Sequence, residues 1–345
     1  MLTLGRAVIG LILVVASLAI APAATPQAKP SVRIGYIPTD SFAAVCLLGD
    51  RHLPAAGVSV EMVRLAGGPE ILSQVATGQL QVGAAGMGAA GFNAIASGLP
   101  VEFVAPQHAG YLADYFTVRK ASWGKEIKRI GDLKGKAIAL NIRGAAVEWM
   151  MEEALKTDGL TLKDVQVKIM PFPDMVPALE SGAVEAGIVS EPFPTLAEER
   201  GIAVRPLSRP ADAKATPITA LFWNKEWAAK NPELAQTVMT AYLKAARDLA
   251  LDNGWKQPRN IEVMVKYTGA KAEVIQKARA HVLDPNLETD PAVLESMQKL
   301  AAEMGYLKYK DLLPVGKIFN FTYRDRAVRE AGRKLRPVLE GKDTP

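Results

Sequence analysis

Arg143 is the side chain of this sequence that is best placed to bind an anion. It stands directly before Gly144 and Ala145, after a predicted strand at 137–140 and at the start of a predicted helix. A guanidinium group can hold a carboxylate, sulfonate or phosphate through paired hydrogen bonds, and free N–H groups at a helix N-terminus add to the attraction. We therefore predict that these three residues contact a ligand. The alternative is a surface arginine paired with Glu148 or with solvent.

Ser190 and Glu191 form a second polar group, at the end of a predicted strand at 186–189. Glu191 could accept a hydrogen bond from a ligand amine or ring N–H, or it could pair with Arg143 when the site is empty. A purely structural role for Glu191 is equally compatible with its position. Both residues are predicted ligand contacts.

Small residues fill the segment 83–90, which reads GAAGMGAA. Glycine allows a ligand to approach backbone N–H groups closely, so we predict that Met87 and Gly88 lie at the site. The alternative is that small residues here only permit tight packing of a helix on a sheet. The spacing matches neither a Walker loop nor G-x-G-x-x-G.

Aromatic residues and a serine follow the first predicted strand. Tyr36 and Phe42 could stack on a ligand, and Ser41 could either face the ligand or merely cap the next helix. Tyr115 is predicted to join them, and Tyr111 lies nearby. These aromatic rings favour an organic, planar ligand.

Catalytic and metal-binding patterns are absent from the sequence. It contains no G-x-S-x-G and no H-E-x-x-H motif, and Cys46 lies in an apolar run typical of a core. His52, His108 and His281 share no metal-ligand spacing and are interpreted as surface or capping residues. The formal net charge is +5, with basic residues scattered among acids, which argues against nucleic acid as a partner. We predict no catalytic residue, no metal, no cofactor and no enzymatic activity.

The N-terminal residues 1–24 have the three parts of a secretory signal peptide. Arg6 precedes an apolar run at 8–21, and small residues near Ala23 and Ala24 suit cleavage. A retained membrane anchor is the alternative, but a bilayer span needs about 20 apolar residues. The sequence therefore predicts an exported protein.

Alternating strands and helices are predicted to position these residues. Two successive α/β units are followed by a helical tail that would pack on the first unit. We predict a first lobe from 32–117 and 220–345, and a second lobe from 118–219. The extended stretches at 115–120 and 216–224 would join them. Ligands of such parallel sheets bind beyond the carboxyl ends of the strands, where all four groups above are found.

Four motifs resemble those of a known family. They are DLKGK at 132–136, PALESGAVEAG at 177–187, SEPF at 190–193 and NPE at 231–233. In this order they are similar to the nitrate/sulfonate/taurine-type solute-binding proteins, also called the SsuA/THI5-like or NMT1 group. The resemblance covers about 32–330.

The resemblance implies a type II periplasmic binding protein fold, with two α/β lobes that close over a ligand in the cleft between them. It also implies a monomer in the periplasm that delivers its ligand to an ABC permease in the inner membrane. We expect a small organic anion such as a sulfonate, an aromatic acid or another carboxylate. A nitrogen heterocycle, either a thiamine pyrimidine precursor or a flavin, is the alternative ligand. A pyrimidine-synthesis enzyme and a sensor-linked binding protein are the alternative functions.

Overall fold

The computed structural model describes residues 29–209, 215–332 and 335. The predicted signal peptide at 1–24 lies outside these residues. Within the described part of the chain, no helix combines the length and apolar character needed to cross a membrane.

The described residues form strands that belong to two sheets. In chain order the strands are β1 Ser31–Tyr36, β2 Ser59–Arg64, β3 Val82–Gly86, β4 Val101–Gly110, β5 Phe116–Arg119, β6 Ala137–Leu140, β7 Gln166–Ile169, β8 Ala186–Ile188, β9 Ala203–Val204 and β10 Thr216–Asn224.

Helices connect and cover these strands. The α-helices are α1 Ala43–Leu47, α2 Leu53–Ala55, α3 Gly68–Ala76, α4 Ala89–Ala96, α5 Leu112–Tyr115, α6 Ala146–Lys156, α7 Phe172–Ser181, α8 Phe193–Glu199, α9 Lys225–Lys230, α10 Pro232–Ala250, α11 Pro258–Thr268, α12 Ala272–Lys277, α13 Pro291–Glu303, α14 Val315–Ile318 and α15 Thr322–Glu330. Short 3-10 turns occupy Asp40–Phe42, Ile130–Leu133, Leu162–Asp164 and Gly254–Lys256, and a π-helical turn at Leu48–His52 joins α1 to α2.

The first sheet has the strand order β2-β1-β3-β10-β4. β1 pairs in parallel with β2 and β3, whereas β10 runs antiparallel to both of its neighbours. Every residue of β10 is buried, as its apolar sequence requires of a central strand. β10 enters the sheet directly from the other lobe, without a crossover helix, and is therefore antiparallel to its neighbours β3 and β4. The sheet is therefore mixed rather than parallel throughout.

The second sheet has the order β7-β6-β8-β5-β9 and repeats this arrangement. β6, β7 and β8 are parallel, and β5 runs antiparallel to β8 and β9. The chain passes between the sheets twice, from β4 to β5 and from β9 to β10. Two α/β lobes result, as predicted, although the boundaries proposed at 118 and 219 stay a prediction.

The helical tail after β10 contacts both lobes. Val238, Tyr242 and Leu249 of α10 are buried in the core of the first lobe. Farther along, Ser296 Oγ accepts a hydrogen bond of 3.0 Å from the indole N–H of Trp149 on α6 in the second lobe. The tail, which is predicted from the sequence to pack on the first lobe, thus also contacts the second lobe.

Candidate functional site

A cavity lies between the two lobes, beyond the carboxyl ends of β1, β3, β6 and β8. It has a volume of about 790 Å³, part of which is open to solvent. Its wall is mainly apolar and includes Ile37, Leu72, Phe103, Ile142, Phe172 and Phe222. The position agrees with the rule that ligands of open α/β sheets bind at strand carboxyl ends.

Eight of the eleven predicted contact residues line this cavity. They are Ser41, Phe42, Gly88, Tyr115, Arg143, Gly144, Ala145 and Ser190. That each of them touches a ligand stays a prediction. The remaining three are Tyr36, Met87 and Glu191, which are not among the residues that line the cavity.

Tyr36 and Met87 are directed into the protein. The Tyr36 ring packs edge-on against Tyr267, with 5.4 Å between the ring centroids, and the next residue, Ile37, lines the cavity instead. This follows from the alternation of side chains along a strand. The Met87 side chain is buried in the core. The predicted stacking by Tyr36 and contact by Met87 therefore do not agree with the positions of these side chains.

Backbone hydrogen bonds join the two lobes beside Gly88. The Ala89 N–H donates to the Gly144 carbonyl at 2.7 Å, and the Ala146 N–H donates to the Met87 carbonyl at 2.9 Å. A Cβ atom on residue 88 would lie only 2.1 Å from the Gly144 oxygen. Glycine at this position therefore allows the two backbones to meet.

Arg143 lines the cavity but is already paired with a carboxylate. Its Nη1 lies 3.2 Å from Glu148 Oε1, and the Gly144 N–H donates to Glu148 Oε2 at 2.6 Å. Gly144 has a φ of 70°, a conformation that favours glycine. The Glu148 side chain is 1% exposed and that of Arg143 is 43% exposed. Glu148 thus occupies the anion position at the start of α6, as the alternative interpretation of Arg143 anticipated.

Ser41 and Ser190 meet across the cleft from opposite lobes. Ser190 Oγ donates to Ser41 Oγ at 3.4 Å, and Ser41 Oγ lies 2.5 Å from Thr39 Oγ1. The amide of Gln107 donates to the Ser41 carbonyl at 2.6 Å. Ser41 lies inside the 3-10 turn rather than at its N-cap, so it is not a simple capping residue.

Glu191 forms a buried ion pair with Arg205, and both side chains are 2% exposed. Its Oε1 also accepts from the Arg279 N–H at 3.0 Å. Burial, followed by the nearby Asp40 charge, raises the pKa of Glu191, while Arg205 opposes that rise. The proposed pairing of Glu191 with Arg143 is therefore wrong, because Glu191 is paired with Arg205 and Arg143 is paired with Glu148.

Tyr115 lines the cavity, and its hydroxyl is hydrogen-bonded to His281. Burial, followed by the charge of Asp40, raises the pKa of Tyr115 well above its ordinary value, so the hydroxyl keeps its proton. This hydroxyl lies 2.6 Å from His281 Nδ1, and His281 Nε2 lies 2.8 Å from Asp40 Oδ1. A neutral imidazole that donates a hydrogen bond to Asp40 from Nε2 accepts a hydrogen bond from the Tyr115 hydroxyl at Nδ1.

His108 is buried at the cavity with one ring nitrogen unpaired. It is 3% exposed, its Nδ1 lies 2.5 Å from Thr219 Oγ1, and its Nε2 has no hydrogen-bond partner among the described residues. Burial, followed by the nearby His281, lowers the pKa of His108 well below its ordinary value, so the ring is neutral.

The interpretation of the histidines as surface or capping residues is wrong for His108 and His281, whereas His52 is partly exposed and precedes α2 at its N-cap. His108 and His281 are buried, and His52 Nε2 lies 3.1 Å from Asp248 Oδ2. The sequence offered no signal for this, because the partners of each histidine come from distant parts of the chain.

We expect His108 to make stability pH-dependent. In the unfolded chain the imidazole takes up a proton near pH 6.5, whereas buried His108 in the folded protein resists protonation. Below about pH 6.5 the unfolded state therefore binds more protons than the folded state, and the protein loses stability as pH falls. The free energy of unfolding should fall by up to about 1.4 kcal/mol per pH unit for this group. Chemical denaturation of the wild type and His108→Asn between pH 7.5 and 5 checks this. Equal slopes for the two proteins would contradict it.

Three cavity residues on β10 were not predicted from the sequence: Phe222 and the adjacent pair Ile218 and Thr219. Register shifts on either side of Thr219 break the regular alternation of the strand, so these two adjacent residues both line the cavity. Pro217 lacks the N–H that a regular ladder needs and is the visible signal for such a break. Strand-end reasoning missed them because β10 runs against its neighbours.

Two α/β lobes around a cleft, joined by two passages of the chain, define the periplasmic binding protein fold. The NMT1-like family model matches residues 25–267, and the chain belongs to this family. The family predicted from the four sequence motifs is therefore confirmed.

The chain is similar to a protein of Escherichia coli strain K12 that is named for binding aliphatic sulfonates. The two are 26% identical over 299 residues, which is 86% of this chain and 88% of the relative. A solved ligand-binding component of an ABC-type import system from Staphylococcus aureus, with zinc bound, superposes with a TM-score of 0.72 at 14% identity. This match covers 87% of this chain and all of that one.

An enzyme shares this fold. The desulfurization enzyme DszB matches with a TM-score of 0.60 at 15% identity, over 88% of this chain and all of the enzyme. The fold alone therefore does not separate binding from catalysis, and the site has to decide.

Proposed function

We propose that this protein is the periplasmic substrate-binding component of an ABC importer, which captures a small organic molecule between its lobes. The observation that carries the proposal is the largely apolar cavity enclosed by both lobes, with backbone hydrogen bonds joining them at its edge. Closure of two lobes over a ligand excludes water and strengthens polar contacts. The similarity to the sulfonate-binding relative and to the import-system component supports this role.

The polar groups of the cavity favour a neutral ligand with an organic body. Arg143 is the one cation among the described lining residues, and Glu148 compensates its charge. His108 is neutral, and Ser41 and Ser190 carry no charge. Aromatic walls such as Phe172 suit a planar body. A nitrogen heterocycle therefore fits this cavity better than a strongly charged anion.

A small organic anion is the second candidate, because Arg143 does line the cavity. Such a ligand would have to draw the guanidinium away from Glu148 or bind to the pair. The Gly144 N–H and the Tyr306 hydroxyl, 3.3 Å from Glu148 Oε1, would continue to hold that carboxylate. The sulfonate-binding relative supports this alternative.

Catalysis has little support in the site. The Thr219 hydroxyl is hydrogen-bonded to His108 Nδ1, which resembles the nucleophile and base of a catalytic triad. A triad also requires a carboxylate at the other ring nitrogen, and no described carboxylate contacts His108 Nε2. Burial raises the pKa of Cys46 and so suppresses its reactive thiolate. The proposal therefore includes no chemical step.

A thermal-shift panel of pyrimidines, flavins, aromatic acids and sulfonates tests the proposed function. A compound present at ten times its dissociation constant should stabilise the protein by roughly 1.4 kcal/mol, and chromatography should recover it unchanged. Turnover of a compound without stable binding would contradict the proposal.

Arg143→Ala separates the two ligand classes. An anion held by the guanidinium should lose about 1.5–3 kcal/mol of binding free energy, since a charge-assisted hydrogen bond disappears. A neutral ligand should change by less than about 0.5 kcal/mol. Isothermal titration calorimetry measures both, with exposed Arg326→Ala as the control. A large loss for a neutral compound would contradict the assignment of Arg143.

A further inference from the structure

His108 and Thr219 form a polar pair in the mainly apolar wall of the cavity. They lie on the paired strands β4 and β10, directly opposite one another. Both residues are buried and both line the cavity. The short contact between Thr219 Oγ1 and His108 Nδ1 fixes the pair, and it leaves His108 Nε2 without a partner in the described chain.

The hydrogen-bonding capacity of this pair follows from counting protons. A neutral imidazole carries one N–H and one bare nitrogen, and a threonine hydroxyl both donates and accepts. If Thr219 donates to Nδ1, then Nε2–H is a donor and the Thr219 oxygen is an acceptor. If Nδ1–H donates to Thr219, then Nε2 is an acceptor and the Thr219 hydroxyl is a donor. In both tautomers the pair offers one donor and one acceptor beyond its internal bond.

A buried polar atom that finds no partner costs free energy, so the ligand that suits this pair must satisfy both functions. A carboxylate or sulfonate offers acceptors alone and would leave one function unpaired. An amide-like edge, with an N–H beside a carbonyl or ring nitrogen, satisfies both. On the opposite lobe, the buried Asn141 Oδ1 also lacks a partner among the described residues and calls for a further ligand donor.

We propose that the His108–Thr219 pair is the specificity-determining contact of the cavity, and that it selects ligands with a neighbouring donor and acceptor, as in lactams, pyrimidinones and primary amides. This inference rests on the proposed function and deepens it. Because either tautomer meets the requirement, the pair accepts the edge in both orientations, while it discriminates against ligands with acceptors alone.

Matched probes and variants test the pair by isothermal titration calorimetry. The probes are 4-quinazolinone and uracil, each against its N-methylated counterpart, together with benzoate and ethanesulfonate. Wild-type protein should bind the N–H probes about 10- to 100-fold more tightly than the methylated ones. Thr219→Val removes the hydroxyl with little change of shape, and His108→Asn removes Nε2. Each should reduce the discrimination to less than about threefold.

Thr216→Val on the same strand is the matched control, because Thr216 does not line the cavity, and it should bind like the wild type. Circular dichroism shows whether each variant is folded. If Thr219→Val does not fold, the binding data of His108→Asn alone test the role of the pair. Binding of benzoate or ethanesulfonate with equal affinity in wild type and variants would overturn the role of the pair while leaving the proposed function intact. Binding of no probe to the wild type would count against the proposed function and the pair together.

Discussion

Gly88→Val is expected to abolish ligand binding at concentrations that saturate the wild type, with an affinity loss of at least about 100-fold. The first side-chain atom at this position would lie 2.1 Å from the Gly144 carbonyl oxygen of the other lobe, so the lobes cannot meet as they do here. The bonds from Ala89 to Gly144 and from Ala146 to Met87 would be lost together. Binding by lobe closure depends on that approach.

The effect should be on closure rather than on folding. Gly88 has a φ of 165°, an extended conformation open to any residue, so its own backbone is not strained by the substitution. Gly316→Ala is the control, because a Cβ there meets no atom within 4 Å. Small-angle X-ray scattering at a ligand concentration that saturates the wild type should show a compact wild type and a more extended Gly88→Val. Undiminished affinity in the variant would show that ligand capture does not require this contact.

Arg205→Ala is expected to destabilise the protein by about 3–5 kcal/mol, because it leaves the buried Glu191 carboxylate without its cation. Arg205 also donates hydrogen bonds to the Glu198 carboxylate and, at 3.3 Å, to the backbone carbonyl of Asp114. It therefore connects the chain after β9 with the segment before β5. Loss of the Arg205 charge should raise the pKa of Glu191 in the folded protein further. Because the unfolded chain then releases this proton at a lower pH than the folded protein does, the destabilisation should grow as pH rises.

Urea denaturation at pH 5 and pH 8 measures this effect. The double variant Arg205→Ala with Glu191→Gln should recover part of the loss, since the uncompensated charge is gone. Arg326→Ala, which breaks an exposed pair with Glu330, should change stability by less than about 1 kcal/mol and serves as the control. Similar losses for the buried and exposed variants would contradict the importance of the Glu191 pair.

Much of the cavity could be predicted from local sequence. Buried strands such as β6 and β8 are short apolar runs, and the residues just beyond them have to gather at one edge of the sheet. This reasoning located Arg143, Gly144 and Ser190, which all line the cavity. It needed only the order of the elements, which the alternation of strands and helices supplies.

The direction of single side chains was harder to predict. Tyr36 and Ile37 are neighbours, and a shift of one residue in the assigned strand end decides which of them faces the cavity. Burial of Tyr36 against Tyr267 depends on a helix more than 200 residues away in the sequence. No local pattern reports such a contact.

Pairings between distant residues were not predictable from spacing. His108 meets Thr219 because β4 and β10 are adjacent in the first sheet, although 111 positions separate the two residues. Glu191 meets Arg205 because the chain turns back after α8. Recognition of β10 as a returning antiparallel strand is the step that would have placed Thr219 at the site.

The measurement that tests the central claim most directly is a calorimetric titration of wild-type protein and Gly88→Val with the strongest compound of the ligand panel, followed by chromatography of the bound material. The account predicts one molecule bound per wild-type chain, recovery of that molecule unchanged, and a loss of binding of at least about 100-fold in Gly88→Val. Conversion of the compound to a product, or equal binding by both proteins, would contradict a ligand-capturing cleft that closes between the two lobes.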